Sequence, residues 1–179
     1  IESPENRLAN NIYAASTAVT GSVLLGSVGV WGQNETSQAI GYTGGALLGA
    51  TSGWLISQEE RPTLAQATLL ASSTGWGLGL GQLMADGFDL DPESAALSRT
   101  LGVSAGTGFA YWSRDKDPHL SDVIETDFMG YWGAQTAVAM TDILSDQSLV
   151  EYSEYTDYDD NPEYYDQMYA DYNRERDIL

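Results

Sequence analysis

Long stretches of this chain carry no charged residue, and short polar segments rich in turn-forming residues separate them. The uncharged stretches cover residues 8–34, 36–58, 64–85, 100–113 and 128–141. All of them exceed the five or six residues of a typical strand. The pattern therefore predicts helices over about 8–31, 37–57, 63–86, 92–113 and 119–144, with a shorter helix within 162–177.

Residues at two of the predicted helix starts are typical helix boundaries. Asp91 precedes Pro92 and Glu93, which gives an N-cap, a proline in the first turn and an early acidic residue. Thr63 stands three residues before Gln66, the spacing of a capping box. Residues 76–81 instead alternate apolar side chains with glycine, as a strand would, so a stranded body or β-barrel is the alternative fold.

Small residues recur every four positions in two of the predicted helices. They are Gly41, Gly45, Gly49 and Gly53 in one helix, and Gly102, Gly106 and Ala110 in the other. Such spacing places them on one helical stripe and lets a second helix approach closely. The facing helix could belong to the same chain or to another copy.

Residues 41–85 and 98–141 are two copies of one pattern. Pro62-Thr63-Leu64 returns as Pro118-His119-Leu120, and the pair Trp76-Gly77 returns as Trp132-Gly133, in both cases 56 residues later. Upstream of the prolines the offset is 57 residues. A fixed period predicts a supersecondary unit that buries its apolar face against its neighbours. We therefore expect an all-α bundle of antiparallel helical hairpins, with these Trp-Gly pairs in helix packing or at an interface.

Charge divides the chain into a body, residues 1–144, and a tail, residues 145–179. The net charge of −19 makes nucleic-acid binding improbable, and the absence of cysteine excludes thiolate chemistry. The tail holds 11 acidic residues and seven of the eleven tyrosines. Its aromatic stripe on a short amphipathic helix predicts a docking segment that folds back on the body, binds a neighbouring subunit or engages a basic partner protein. The stripe consists of Tyr165, Met168, Tyr169 and Tyr172.

Membrane insertion is a second interpretation of the uncharged stretches. Several are long enough to cross a bilayer, with 12–31 the most convincing span. They are only mildly apolar, and the segments between helices are mainly acidic, with no Lys- or Arg-rich side evident. A water-soluble or envelope-assembled bundle is therefore the first interpretation, and a membrane-embedded one is the alternative.

In general style, residues 37–144 resemble glycine-zipper helical-repeat proteins of bacterial cell envelopes. The resemblance rests on Gly-x-x-x-Gly spacing together with the Pro-x-Leu and Trp-Gly motifs described above. It implies a mode of helix packing and a location in the cell envelope.

Clustered carboxylates are the only metal ligands that the sequence suggests. Asp86, Asp89, Asp91 and Glu93 form an oxygen-rich segment of a kind that suits Ca²⁺. The alternative is a solvated turn in which Asp91 caps the next helix. A second, looser calcium candidate lies in the tail and comprises Asp157, Asp159, Asp160, Glu163 and Asp166.

These patterns predict no catalytic residues and no organic cofactor. The leading functional hypothesis is a non-enzymatic structural or assembly subunit that packs as a homo-oligomer or with other protein subunits. The alternative is a membrane-embedded helical protein, such as a pore or accessory subunit, and a carboxylate- or metal-dependent enzyme comes third. A start at Ile1 fits a processed chain in the cell envelope or outside the cell.

Overall fold

A computed structural model of the chain describes residues 3–32 and 34–145. In that part the elements are α1 (Pro4–Trp31), α2 (Glu35–Glu60), α3 (Leu64–Gly87), α4 (Pro92–Ser113), a 3₁₀ turn (Arg114–Lys116) and α5 (Leu120–Ser145). No strand occurs among the described residues, so the all-α prediction is confirmed and the stranded alternative is wrong for them. The helix predicted within 162–177 lies outside the described residues.

Side-chain caps fix where the first four helices begin. Ser3, Asn34, Thr63 and Asp91 each accept a hydrogen bond from a backbone N–H in the first turn of the helix that follows. Thr63 and Gln66 form the predicted capping box, with both reciprocal hydrogen bonds in place. These caps satisfy backbone N–H donors that have no partner inside the helix. Each of the four helices begins within a few residues of its predicted start.

Two pairs of helices account for most of the packing: α1 lies along α2, and α3 lies along α4. Smaller contacts join α1 to α3 and α4. The first four helices have 28, 26, 24 and 22 residues. At 1.5 Å per residue they span about 33–42 Å, which is at least the thickness of the hydrocarbon core of a bilayer.

Most buried side chains are small, with Tyr13 and Leu70 as the large exceptions, and most large apolar side chains face outwards. The fully buried positions include Ala67, Val103, Ser57 and Thr74. Outside the core, Leu47 and Leu48 are each 65% exposed. Other large side chains on the first four helices are also exposed, among them Leu25, Val28, Ile40, Leu55, Leu80, Leu83, Leu97, Leu101 and Phe109. This distribution is the reverse of that in most water-soluble proteins, whose cores are rich in Leu, Ile and Phe.

Packing divides the chain into two units, the first ending at Met129 and the second beginning at Gly130, within α5. The first unit contains α1 to α4 and the first turns of α5. Among the described helices, α1 alone is both long and apolar enough to cross a membrane, and a signal sequence would meet the same criteria.

Candidate functional site: small-residue helix faces

The face between α1 and α2 consists of glycines whose backbones nearly touch. A Cβ atom built on Gly45 would lie under 3.0 Å from the backbone oxygen of Gly21, and one built on Gly21 would collide in the same way with Gly45. A Cβ on Gly49 would meet the backbone of Thr17, and a Cβ on Gly29 would lie 2.5 Å from the Ser37 oxygen. Only glycine fits at these positions while the two backbones stay this close.

The face between α3 and α4 has the same construction. Gly77 and Gly102 would collide with each other's backbone oxygens if either carried a Cβ atom. A Cβ on Gly106 would meet the backbone of Ser73, and one on Gly81 would lie 2.6 Å from the Ser98 oxygen. Both helix pairs therefore pack closely because glycine has no side chain at the contact positions, and not through interlocking large side chains.

Most glycines predicted from the sequence as packing residues lie on these two faces. They are Gly41, Gly45, Gly49, Gly53, Gly77, Gly102 and Gly106. Gly133 differs, because a Cβ there would meet no atom of the described residues within 4 Å. Trp132 is 55% exposed and lies edge-on to Tyr131. Trp76 is half-buried, and its indole N–H donates to Asp127.

Hydroxyl groups connect the two helix pairs in the core. Thr107 of α4 is within hydrogen-bond distance, 3.2 Å, of both Thr20 of α1 and Thr74 of α3. Ser27 of α1 donates to the Ala96 carbonyl at 3.1 Å and accepts from Thr100 at 2.7 Å. Within the described residues, no buried side-chain polar atom lacks a hydrogen-bond partner. The polar core is therefore fully paired, as a low-dielectric interior requires.

At one end of the bundle, six polar side chains are among those that line a cavity of about 330 Å³. The phenol oxygens of Tyr13 and Tyr111 are hydrogen-bonded, although the two residues are 98 positions apart in the sequence. Arg114 pairs with Glu60 at 2.6 Å, and its backbone oxygen accepts from Gln66. The Glu60 carboxylate raises the pKa of Arg114 above its ordinary value. These contacts connect α1, α2, α3 and α4 at the end where α4 stops.

An apolar groove of about 520 Å³ lies between α3, α4 and the first turns of α5. Its walls include Leu80, Phe109 and Val123. Its main polar feature is Asp127, whose carboxylate accepts from the Ser72 hydroxyl and, at 3.0 Å, from the Trp76 indole. Asp127 therefore ties the start of α5 to the middle of α3.

The four carboxylates proposed for calcium do not gather at one point. Asp91 accepts from the backbone N–H groups of Glu93 and Ser94, and Asp86 accepts from Gln82. Hydrogen bonds from the Ser94 backbone and hydroxyl hold the pKa of Asp91 below its ordinary 3.8. Among the described residues, no group of three or more His, Cys, Asp or Glu side chains could hold a metal ion. The geometry of Asp91 fits the capping role given above as the alternative.

Four predicted docking residues and the second calcium candidate lie outside the described residues. The docking residues are Tyr165, Met168, Tyr169 and Tyr172, and the calcium candidate comprises Asp157, Asp159, Asp160, Glu163 and Asp166. Comparison with protein families, with curated proteins and with solved structures finds no match to this chain.

Sequence reasoning missed the contacts that join distant helices. Tyr13 and Tyr111 gave no local signal, because they lie 98 positions apart and nothing near either residue marks the other as its partner. The three core threonines, Thr20, Thr74 and Thr107, lie far apart in the sequence. Their spacing in three different helices became informative only once the helices were placed side by side.

Proposed function

We propose that the chain is a non-enzymatic structural subunit of a cell-envelope assembly, and that α1 to α4 form a membrane-embedded bundle. The observation that carries this proposal is the reversed distribution of side-chain size. Gly, Ala, Ser and Thr dominate the interior, whereas Leu, Ile, Trp and Phe lie mainly on the outside. In lipid this arrangement is favourable, because large apolar side chains meet acyl chains and small ones allow helices to pack closely.

The repeat supports a bundle made of two equivalent helical hairpins. The contact between Gly21 and Gly45 has its counterpart in that between Gly77 and Gly102, at the offsets of 56 and 57 residues found in the sequence. The contact of Gly49 with Thr17 corresponds in the same way to that of Gly106 with Ser73. The order of contacts runs in opposite directions along the two helices of each pair, as antiparallel hairpins require.

Aromatic residues near the helix ends support a bilayer boundary at each end. Trp31 ends α1, Phe88 follows α3, and Trp112 is the penultimate residue of α4. These three side chains are 52–71% exposed. Exposed Trp rings at the ends of apolar helices, such as those of Trp31 and Trp112, are typical of membrane–water interfaces.

A charged residue introduced at the middle of α2 distinguishes the hypothesis of membrane embedding from that of a soluble assembly. Leu47 is the thirteenth of 26 residues in α2 and is 65% exposed. In a bilayer, a lysine there is disfavoured by about 2.5–3.5 kcal/mol. In water, replacing an exposed leucine with lysine removes apolar surface and should improve solubility. Leu47→Lys thus has opposite expected effects under the two hypotheses.

The measurement is the fraction of protein that remains in alkali-washed membranes and needs detergent for extraction. We expect the wild type to remain in membranes and Leu47→Lys to lose most of that fraction. Gln58→Lys is the matched control, because Gln58 is exposed in the last turn of α2, where lysine meets water in either case. Wild-type protein in the soluble fraction, with better solubility for Leu47→Lys, would refute membrane embedding and favour the soluble assembly.

A further inference from the structure

The four helices of the bundle have a marked difference in basic residues between their two ends. Arg7, Arg61, Arg114 and Lys116 all lie at the end where α1 begins and α4 stops. Contacts fix this grouping, since Arg114 pairs with Glu60 in the last turn of α2 and Arg61 lines a cavity with Ser3 and Asn6. The sequence alone showed no basic side, because these four residues are distributed over three separate segments.

The opposite end of the bundle is almost free of Lys and Arg. Its connecting segments and the helix ends next to them contain Glu35, Asp86, Asp89 and Asp91. Arg99 is the one basic residue described there; it lies two turns into α4, and its guanidinium donates to Gln82 at 2.5 Å. Of the seven Lys and Arg residues, the other two, Arg174 and Arg176, lie outside the described residues. The five Lys and Arg residues in the described part thus divide four to one between the two ends.

We propose that the bundle is oriented with the end bearing Arg7, Arg61, Arg114 and Lys116 on the cytoplasmic side of the membrane. This inference depends on the membrane embedding proposed above. Lys and Arg in short segments next to a span resist transfer across an energised membrane and favour the anionic cytoplasmic leaflet, whereas Asp and Glu contribute little to orientation. The acidic residues at both ends therefore do not cancel the bias. The first turn of α1, the α2–α3 connection and the α4–α5 connection all face the cytoplasm.

The chain contains no cysteine, so single-cysteine variants can report orientation without background labelling. Gln58→Cys and Ser121→Cys place a thiol at the basic end, and Thr36→Cys and Gly87→Cys place one at the other end. All four positions are exposed, and a Cβ on Gly87 meets no neighbour within 4 Å. The variants are expressed in bacteria and treated with a membrane-impermeant maleimide, both in intact spheroplasts and after permeabilisation.

We expect Thr36→Cys and Gly87→Cys to react in intact spheroplasts, and Gln58→Cys and Ser121→Cys to react only after permeabilisation. The reversed pattern would overturn the orientation while leaving membrane embedding intact. Recovery of all four variants in the soluble fraction would overturn both proposals. These two failures are therefore distinguishable in one experiment.

A variant with basic residues moved from one end of the bundle to the other tests whether Lys and Arg cause the orientation. Arg61→Gln and Lys116→Gln, combined with Gly87→Lys and Leu90→Lys, should invert at least half of the molecules in the labelling assay. The matched control removes acidic residues from the same segments, Glu59→Gln with Asp117→Asn, and should leave the pattern unchanged. An unaltered labelling pattern in the variant with relocated basic residues would show that Lys and Arg do not set the orientation.

Discussion

Two adjacent glycines in α2 provide a direct test of close helix packing. A Cβ atom at Gly45 would lie under 3.0 Å from backbone atoms of Gly21, whereas a Cβ at Gly44 would meet nothing within 4 Å. Both positions are in the middle of the same helix. Gly45→Ala and Gly44→Ala therefore introduce the same methyl group into the same helix, and only one of them meets the facing backbone.

The comparison isolates the steric part of the free energy of unfolding. Alanine in place of glycine stabilises a helix interior by about 1 kcal/mol, and this gain applies at both positions. At Gly45 the obstructing atoms belong to the α1 backbone, which cannot rotate away, so α1 and α2 must separate. Overpacking of this kind typically costs about 1–3 kcal/mol. We expect Gly45→Ala to be less stable than Gly44→Ala by that amount.

The assay is unfolding of purified protein in mixed detergent micelles with an increasing SDS fraction, followed by far-ultraviolet circular dichroism. Gly21→Ala combined with Gly45→Ala should cost less than the sum of the single changes, because once the helices have separated the second methyl group meets less obstruction. Equal stability of Gly45→Ala and Gly44→Ala would refute the argument, since it would mean that the backbones do not approach as described.

Three further predictions concern the second helix pair, the groove and the start of α4. Gly106→Leu should disrupt folding, because its side chain meets the Ser73 backbone, whereas Gly108→Leu enters open space and should keep the wild-type circular-dichroism melting curve. Asp127→Ala should destabilise the protein by about 1–3 kcal/mol in the same SDS titration, since it leaves the Trp76 N–H without its acceptor, and Asp122→Ala should change stability by less than about 0.5 kcal/mol. Asp91→Ala should lower the melting temperature at neutral pH. Because folding lowers the pKa of Asp91, the stability that this carboxylate contributes is present above the ordinary value of 3.8 and is lost as the pH falls through the lower folded-state value, where wild type and variant should melt alike.

Helix positions could be read from the sequence because they depend on local chemistry. Thr63 with Gln66, and Asp91 with Pro92, mark helix starts through hydrogen bonds within four residues. The four-residue glycine spacing likewise marks one face of one helix. These features need no knowledge of the rest of the chain.

The pairing of the helices could not be read in the same way. The sequence repeat is clearest over residues 41–85 and 98–141, which groups α2 with α3 and α4 with α5. The close glycine contacts instead join α1 to α2 and α3 to α4. A periodic sequence does not define where its structural unit begins. In α1 the counterpart of Gly77 is Gly21, and different neighbouring residues hide this equivalence.

The energetics of the two faces support the proposed membrane embedding. In water, α1 and α2 would gain little from their contact, because glycine and serine bury almost no apolar surface and burial of that surface is the main drive to fold. The outward leucines, such as Leu47 and Leu48, would meanwhile remain hydrated at a cost. In lipid the hydrophobic term between helices vanishes, and close van der Waals packing together with hydroxyl pairs such as Thr74 with Thr107 becomes the main attraction. The helix faces of this protein are therefore suited to lipid, where close packing, rather than the burial of apolar area, holds helices together.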